Sequence, residues 1–384
     1  MKVEMNKLTK LNIHIYPSNL TCETRIEKLA KSLIKKSLFD EVIVIGTNDG
    51  EVKKVRMLSD RIKFRLMGLP NKYQNFILKV FVFLTFYLSV IVFCFRKKSI
   101  KCINAHSLSV LPLCYIVSKI KKTKLIYDTH ELETETNSIS GIRKRASKIL
   151  ERILISKADY TFVVSKSIEE WYESTYSMEN IETVFNAPSI DYMKIDHDDY
   201  FRSKFNISSD SIIYIYVGGL GPGRGVEVLL DVFSKVDGQK GSLIFMGEGL
   251  LVDKVLASQA EMPVYYHEPV PTSEVVSYSS SADIGISYIE NTSLSHYFSM
   301  PNKVFEYLYS SLPVITSNML DSSQFVINND IGFVVEDGTE LLALVQKMNW
   351  KLIQSKKSNI GSLIERISWE KQEDKIEKVY HGIL

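Results

Sequence analysis

The chain has 384 residues, of which 45% are hydrophobic and 24% charged, and its formal net charge at pH 7 is +2. This is the composition of an ordinary globular protein, long enough for two domains, and it excludes a small fold that depends on disulfides. Basic residues outnumber acidic ones in residues 1–200, and the reverse holds for the rest. The first half is therefore expected to face an anionic surface: membrane lipid, nucleic acid or an acidic substrate.

The cysteines and the N-terminal residues bear on the cellular compartment. Cys22, Cys94, Cys102 and Cys114 form no CxxC pair and no metal-ligand spacing, which fits a reducing cytosol. Residues 1–7 are charged and lack the apolar core of a signal peptide. The sequence therefore predicts a cytoplasmic protein.

Short apolar runs alternate with amphipathic stretches through both halves of the chain. In the first half a helix is predicted over Thr24–Lys36, and strands are predicted over Leu11–Tyr16, Glu41–Ile45, Ile103–His106, Lys124–Tyr127 and Tyr160–Val164. In the second half the predicted strands are Ile212–Val217, Ser242–Met246, Val264–His267, Asp283–Ser287 and Val314–Thr316. Between the halves, Asp191–Tyr200 lacks periodicity and is predicted to be a linker. Such alternation indicates two doubly wound domains with parallel sheets covered by helices.

Residues 80–95 form an uncharged apolar run, which Phe76–Leu78 extends past Lys79. Its length is near the roughly 20 residues that span a bilayer. Three alternatives stay open: a membrane-spanning helix, a fully buried helix, and a helix that lies partly in the membrane interface. The third is favoured because basic residues flank both ends and the chain continues at once into the strand-like Ile103–His106.

Two segments of the second half have the pattern of a phosphate site. Residues 214–225 are predicted to be a strand leading into a glycine-rich loop with Arg224, and a helix follows. Glycines let the backbone approach a phosphate, the helix start adds N–H donors, and arginine can bind two phosphate oxygens. In Ser299–Tyr307, Pro301 suits the first turn of a helix on which Lys303 and Glu306 share one face. The alternatives are a tight turn and a surface helix with an ordinary ion pair.

Further candidates follow the predicted strands. His130 comes just after the strand Lys124–Tyr127, where open α/β sheets bind ligands, and it is either a sugar contact or a structural histidine. His106 is a weaker candidate of the same kind, and Asn186 either faces a cleft or belongs to a turn. Asp128, His130 and Glu131 are not expected to bind a metal. Adjacent side chains on an extended chain face apart, and no second histidine or cysteine completes the set.

These motifs together resemble those of the retaining glycosyltransferases of family 4, the group-1 family, whose fold is called GT-B. The matching elements keep the family's order over nearly the whole chain: Tyr127–Leu132, Phe185–Pro188, Val217–Leu220 with Arg224–Gly225, Met246–Gly249, Ala282–Ile286, Pro301–Tyr307, and Ser368–Glu370 with Tyr380. The resemblance implies an α/β fold of two Rossmann-like doubly wound domains facing a central cleft. It also implies an acceptor-binding domain over 1–195, a nucleotide-sugar-binding domain over 196–366, and a C-terminal helix over 367–384 that crosses back to the first domain.

The resemblance implies roles for particular residues. Glu306 matches the second glutamate of the family's E-x7-E motif, which holds the nucleotide ribose, Arg224 matches the diphosphate-binding basic residue, and His130 matches the histidine near the donor sugar. The implied catalytic residues are therefore His130, Arg224 and Lys303. The implied substrate-binding residues are Gly218, Gly219, Gly247, Ser295, His296, Asn302, Glu306, Asn186 and His106. Met246–Gly249 is expected to shape the mouth of the nucleotide pocket or to form a plain turn.

The chain also departs from the family pattern. Phe298 stands where the first motif glutamate is expected, so a contact to the donor sugar is expected from Ser295, His296 or the loop backbone. Gly219 replaces an arginine often found early in the glycine-rich loop, and the loop after Tyr16 lacks the usual glycines. These departures bear on the identity of the donor sugar more than on the reaction.

The expected function is transfer of a sugar from a nucleoside diphosphate sugar to a hydroxyl, with retention of configuration and without a metal or other cofactor. The expected acceptor is a lipid-linked saccharide of bacterial-type surface polysaccharide synthesis, such as O-antigen or capsule. The expected location is the inner face of the cytoplasmic membrane, and no nucleic acid is expected as a partner. The alternatives are another GT-B nucleotide-sugar enzyme, such as a 2-epimerase, or a non-catalytic nucleotide-sugar-binding or membrane scaffold protein.

Overall fold

The structure is a computed structural model that describes residues 9–21, 23–70, 72, 75–190 and 199–384. The predictions for residues 1–7, for Cys22 and for most of the linker Asp191–Tyr200 lie outside these described residues. The chain forms two compact units, Met1–Val184 with Glu373–Leu384, and Phe185–Gln372. Residues 185–190 thus belong to the second unit rather than the first. One reason is the ring of Phe185, whose centroid lies 5.4 Å from that of Phe305 in the second unit.

The first unit is built on a sheet of eight strands. They are β1 (Leu11–Ile15), β2 (Glu41–Thr47), β3 (Val55–Ser59), β4 (Ile62–Met67), β5 (Ile100–Ala105), β6 (Lys124–Asp128), β7 (Tyr160–Val163) and β8 (Ile181–Thr183). Its helices are α1 (Thr24–Lys35), α2 (Phe76–Arg96), α3 (Leu111–Lys121), α4 (Gly141–Ile155) and α5 (Lys166–Tyr176), and a short 3-10 turn covers Glu133–Glu135.

The strand order of this sheet is β3-β4-β2-β1-β5-β6-β7-β8. Neighbouring strands run parallel, but β3 is antiparallel to β4 and forms one edge of the sheet. The sequence reading missed β3, β4 and β8. The order reverses direction between β1 and β5, so the carboxyl ends of these two strands form the topological switch point where open α/β sheets bind ligands.

The second unit is built on a parallel sheet of six strands in the order β11-β10-β9-β12-β13-β14. The strands are β9 (Ile212–Val217), β10 (Gly241–Met246), β11 (Val264–His267), β12 (Ile284–Ser287), β13 (Val314–Ser317) and β14 (Gly332–Val335). The helices are α6 (Tyr200–Phe205), α7 (Val226–Phe233), α8 (Val252–Ser258), α9 (Val275–Ser279), α10 (Leu294–Tyr297), α11 (Asn302–Tyr309), α12 (Leu320–Asn328), α13 (Gly338–Lys347), α14 (Trp350–Lys357) and α15 (Ile360–Ile367). Here the switch point lies between β9 and β12.

The central strand β9 shows why both faces of this sheet are covered. All six of its residues are buried, and successive side chains point to opposite faces. Ile213, Ile215 and Val217 enter one hydrophobic cluster, whereas Ile212, Tyr214 and Tyr216 enter the other. A strand that is apolar on both faces is typical of a parallel sheet with helices on each side. The prediction of two α/β domains with parallel sheets is therefore confirmed.

The last helix, α16 (Trp369–Ile383), returns the chain to the first unit. Its residue Glu373 accepts a hydrogen bond from Ser32 at 2.9 Å and pairs with Lys35 at 2.8 Å. Further along, the hydroxyl of Tyr380 accepts a hydrogen bond of 2.7 Å from the buried Asn104. Residues from both termini thus complete one core, as the resemblance implied.

Helix α2 is apolar on two opposite faces. Val82, Phe86, Val90 and Cys94 repeat at helical spacing and are buried. The opposite face is exposed to solvent and consists of Ile77, Phe81, Leu84, Leu88, Val92 and Phe95. Residues Ile77–Arg96 are long and apolar enough to cross a membrane by length and composition, and 22% of that stretch is buried. The fully buried alternative therefore does not hold.

Candidate functional site

Most of the predicted site residues fall into two groups, each within one unit and each at the switch point of its sheet. In the second unit, the loop after β9 and the starts of α7 and α11 lie at the carboxyl edge. In the first unit, His106 and His130 follow the neighbouring strands β5 and β6. The local geometry of each group determines what chemistry it can support.

The glycine-rich loop after β9 packs backbone to backbone against the loop after β10. Gly218 donates to the carbonyl of Met246 at 3.0 Å, and Leu220 donates to the carbonyl of Glu248 at 2.8 Å. A Cβ at Gly247 would lie 1.9 Å from the carbonyl oxygen of Gly218, so no side chain fits at that position. Gly247 therefore packs against the backbone of the glycine-rich loop, and this packing explains why the position is a glycine.

The other side of the glycine-rich loop is open. A Cβ at Gly219 or at Gly221 would meet no heavy atom within 4 Å. The buried Tyr216 anchors the loop from below, because its hydroxyl lies 3.2 Å from the carbonyl oxygen of Gly219 and 3.0 Å from that of Arg224. The side chain of Arg224 is exposed. The loop is thus held in shape while its outer face and one cation are accessible to a ligand.

Lys303 lies beside this loop at the start of α11. The helix begins at Asn302, so Pro301 precedes the first helical turn rather than opening it. The Nζ atom of Lys303 lies 3.5 Å from the centroid of the Tyr216 ring, and a Cβ at Gly218 would be 3.7 Å from that Nζ. A cation over an aromatic face is stabilised by the ring quadrupole. Lys303, Tyr216 and the glycine-rich loop are therefore in mutual contact.

The pKa of Lys303 is lowered to about 7, chiefly by burial and then by the neighbouring Arg224, whereas Glu306 acts in the opposite direction. A lysine in this state gains charge when an anion binds. Glu306 is partly buried, and Asn302 is exposed. The arrangement is therefore chemically suited to a phosphate group, with the acidic Glu306 one helical turn further along.

Tyr307 was missed by the sequence reading. Its buried hydroxyl accepts a hydrogen bond of 2.8 Å from the amide of Val217 and donates one of 3.0 Å to the carbonyl of Ile286. It thereby joins the ends of β9 and β12 and fixes α11 against the switch point. Tyr216 was also missed as a functional residue. Both tyrosines lie in buried stretches, where sequence alone gives them the appearance of core residues.

The residues proposed to replace the missing glutamate lie in and around the short helix α10. Ser295 is buried, and His296 is partly buried with its Nδ1 atom 3.0 Å from Thr292 Oγ1 and 3.1 Å from the carbonyl oxygen of Glu290. The ring of Phe298 lies against that of Tyr297, with centroids 5.7 Å apart. Asn186 is partly buried and belongs to the second unit, after β8 has ended.

The first unit contains a buried cluster of three histidines, one aspartate and one arginine. Nδ1 of His106 lies 3.2 Å from Nε2 of His130, and Nε2 of His106 lies 2.7 Å from Nδ1 of His14. Oδ2 of Asp128 is 3.2 Å from Nδ1 of His106. Arg25 pairs with Asp128 through Nη2 at 2.7 Å and through Nε at 3.1 Å. The ring of Tyr16 stacks on His130 at 5.2 Å.

The cluster shows that one expectation from the sequence was wrong, namely that no second histidine lies near Asp128 and His130. His106, Asp128 and His130 each offer a ligand atom, and these atoms all lie within 4.8 Å of one another. A second histidine therefore does stand beside Asp128 and His130. It was overlooked because it follows a different strand. Arg25 of α1 makes this cluster unfavourable for a metal cation. It already neutralises the carboxylate of Asp128, and its own positive charge would repel the ion.

The charges of the cluster depend on its burial. Burial lowers the pKa of His130 to about 3 and holds the pKa of His14 well below its usual range. Burial works against ionisation of Asp128, but Arg25, His106 and His130 together outweigh it and hold the pKa of this carboxyl well below its ordinary value. The cluster thus contains a charged Arg25–Asp128 pair with neutral His14 and His130.

Known proteins resemble this chain in fold more than in sequence. Residues 237–370 match the family model described as glucosyltransferase 3-like, C-terminal domain. No curated protein sequence matches the chain significantly.

Several solved structures share the architecture over nearly the whole chain. Sucrose-phosphate synthase from Thermosynechococcus elongatus has a TM-score of 0.79 at 14% identity, covering 97% of this chain and 99% of that one. HepE of Anabaena in complex with UDP and glucose has a TM-score of 0.74 at 14% identity, covering 97% and 100%. WaaG, a glycosyltransferase involved in lipopolysaccharide biosynthesis, has a TM-score of 0.70 at 12% identity, covering 97% and 100%. The chain therefore has the GT-B fold, as the motifs predicted.

Proposed function

We propose that this protein is a glycosyltransferase that moves a sugar from a nucleoside diphosphate sugar to a hydroxyl group. The observation that carries the proposal is Lys303, a cation of lowered pKa beside an open, tyrosine-anchored glycine-rich loop at the switch point of the second sheet. The family model over residues 237–370 and the GT-B fold support the same assignment.

In the proposed reaction the bond between the anomeric carbon and the diphosphate oxygen breaks. A new bond forms between that carbon and the acceptor oxygen, and the acceptor's proton passes to the leaving phosphate. Negative charge grows on the diphosphate, where Lys303, Arg224 and the loop amides would stabilise it. Glu306 would accept hydrogen bonds from the ribose hydroxyls. Transfer on the same face of the sugar, with retention, would need no second carboxylate, in contrast to the two carboxylates of glycoside hydrolases.

The proposed transfer uses no metal ion. Cationic side chains of the second unit would neutralise the diphosphate. In the first unit, the carboxylate of Asp128 already forms an ion pair with Arg25. His130, supported by the buried His106, would contribute to the sugar or acceptor side of the reaction, and Asn186, Ser295 and His296 are further candidates for that role. Activity is accordingly expected to persist in EDTA.

The test is an assay of the full-length chain against UDP-, GDP- and ADP-sugars, starting with UDP-glucose because Anabaena HepE was solved with that compound. Lys303→Ala and Glu306→Ala are assayed separately, each with a thermal melt to verify folding. We expect a clear loss of transfer in both. Wild-type rates in both variants would refute the site. Binding without turnover across a broad acceptor panel would indicate a binding protein, and an epimer formed without acceptor would indicate a 2-epimerase.

We further propose that the acceptor is lipid-linked and that the protein binds the inner face of the cytoplasmic membrane. Helices α2, α3 and α4 form a layer in which α2 contacts α3 and α3 contacts α4, and we name it the α2–α3–α4 face. Besides the exposed stripe of α2, it exposes Ile116, Ile120, Ile142, Ile149 and Ile153. Exposed basic residues lie among them: Lys79, Arg96, Lys98, Lys119, Arg143, Arg145 and Arg152.

Apolar side chains among lysines and arginines fit an anionic phospholipid surface, which the apolar groups enter while the cations contact headgroups. Flotation with phosphatidylcholine vesicles, with and without phosphatidylglycerol, tests this. We expect binding that needs the anionic lipid and weakens in high salt. Leu88→Asp should abolish it, whereas the matched control Ile327→Asp, equally exposed at 63% but in the second unit, should not. Retention in the membrane after carbonate extraction would instead show that α2 spans the bilayer.

A further inference from the structure

The three histidines of the first unit form a continuous chain of ring nitrogens. It runs from His14 in β1 through His106 after β5 to His130 after β6, with the contacts of 2.7 Å and 3.2 Å given above. A neutral imidazole has one N–H and one lone pair. Each hydrogen bond therefore restricts which nitrogen of the next ring carries the proton. All the hydrogen bonds between these rings then donate in the same direction.

Asp128 sets that direction. Its Oδ2 atom lies 3.2 Å from Nδ1 of His106, and a lone pair on Nδ1 would face a carboxylate that Arg25 keeps ionised. Nδ1 of His106 must therefore carry the proton, which it donates to Nε2 of His130 at 3.2 Å. Since Nε2 of His130 accepts, the proton of neutral His130 is on Nδ1.

The other end of the chain is consistent with this direction. Nε2 of His106 accepts from Nδ1–H of His14, which leaves Nε2 of His14 as a buried lone pair without a hydrogen-bond partner among the described residues. The reverse direction would leave a buried N–H there instead, and orphaned donors are rarer in proteins than orphaned acceptors. His130, at the other end of this series of rings, is by contrast partly exposed.

We propose that Arg25, Asp128 and His106 are positioning residues that hold His130 as a neutral Nδ1–H donor at the carboxyl edge of the first sheet. The ligand group this donor would recognise is an oxygen acceptor, a hydroxyl or phosphate oxygen of the nucleotide sugar or acceptor. That second step rests on the proposed function, whereas the tautomer of His130 does not. His130 would thus bind and orient substrate and would not act as a general base.

The test separates the tautomer from the activity. Nitrogen NMR of protein labelled with 15N-histidine, with His130 assigned through His130→Gln, reports directly which ring nitrogen carries the proton. We expect a protonated Nδ1 and an unprotonated Nε2 for His130 in the free wild-type protein. A protonated Nε2 would overturn the proposal whatever the activity. Zinc added to the wild-type protein should leave the signals unchanged, and a stoichiometric shift of His106 and His130 would show a metal site instead.

Two variants at His106 test its role as a positioning residue. His106→Phe keeps the ring volume and leaves the Arg25–Asp128 pair intact, but it removes the donor to His130. We expect His130 to lose its single tautomer and kcat with UDP-glucose to fall roughly 10- to 100-fold, the range of supporting-residue effects at metal sites. His106→Asn places an amide N–H near the former Nδ1 and should restore both. If folded His106→Phe keeps the wild-type tautomer of His130, the positioning role is refuted. If the wild-type protein has the expected tautomer but transfers no sugar, only the proposed function is refuted.

Discussion

The affinity for UDP should fall as the pH rises above 7, and Lys303 should be the cause. In the free protein the pKa of Lys303 is lowered from 10.5 to about 7, chiefly by burial and then by Arg224. A bound diphosphate favours the protonated lysine and raises its pKa. Below pH 7 the lysine is charged before UDP arrives, so affinity is at its maximum. Above pH 7 UDP must bind together with a proton.

The size of the effect follows from the linkage between protonation and binding. One pKa unit corresponds to about 1.36 kcal/mol, so at pH 9, two units above the pKa of the free protein, protonating Lys303 costs about 2.7 kcal/mol. The dissociation constant should therefore rise by up to about fiftyfold between pH 7, where half of Lys303 is still protonated, and pH 9. The terminal phosphate of UDP contributes little in this range, because the second pKa of a phosphate monoester is about 6.

Isothermal titration of the full chain with UDP at pH 6 to 9 measures this dependence. Lys303→Arg is the matched control, since a guanidinium stays charged throughout and should make the affinity nearly independent of pH. Lys303→Met should bind weakly at each pH. It should also stabilise the free protein, most strongly below pH 7 and progressively less as the pH rises towards 10.5, because burial disfavours the charged lysine of the wild type. A wild-type affinity that stays constant from pH 7 to 9, or a pH dependence that survives in Lys303→Arg, would refute this reasoning.

Three further predictions concern the supports of the two sites. Tyr307→Phe leaves the buried amide of Val217 without its acceptor and should lower the free energy of unfolding by about 1–3 kcal/mol in urea melts; an unchanged melt would contradict the bridging role. Gly247→Ala should destabilise the fold, because its Cβ would clash with the backbone of Gly218, whereas Gly219→Ala should fold normally and weaken UDP binding. A Gly219→Ala variant less stable than Gly247→Ala would contradict the described packing of the glycine-rich loop. Burial raises the pKa of Glu133 to about 8, so the wild type should lose stability as the pH rises from about 4.5 to 8. Glu133→Gln should lack this loss, and parallel pH–stability curves for the two proteins would contradict it.

The fold could be predicted where strands are buried on both faces. β9 was located to the residue, because a central parallel strand between two helical layers is apolar without alternation. β3 and β8 were missed because they are edge strands of the first sheet, and the residues of β3 are mostly exposed. Their position depends on partners that are distant in sequence, which local composition does not record.

The candidate site could be predicted in part for a similar reason. The glycine-rich loop and Lys303 each occupy a recognisable local context, a strand end and a helix start. Tyr216, by contrast, looks like any buried strand residue until the lysine is seen above its ring. His106 and His130 could have been paired in advance, because they follow adjacent parallel strands. Arg25 could not, since it reaches Asp128 from a helix near the start of the chain.

A crystal structure of the full-length protein with UDP-glucose would test the central claim most directly. The proposal predicts diphosphate oxygens within hydrogen-bonding distance of Lys303 Nζ and of the amides of residues 218–224, with the ribose hydroxyls at Glu306. A nucleotide bound away from the switch point of β9 and β12, or one whose diphosphate contacts neither Lys303 nor the glycine-rich loop, would contradict it.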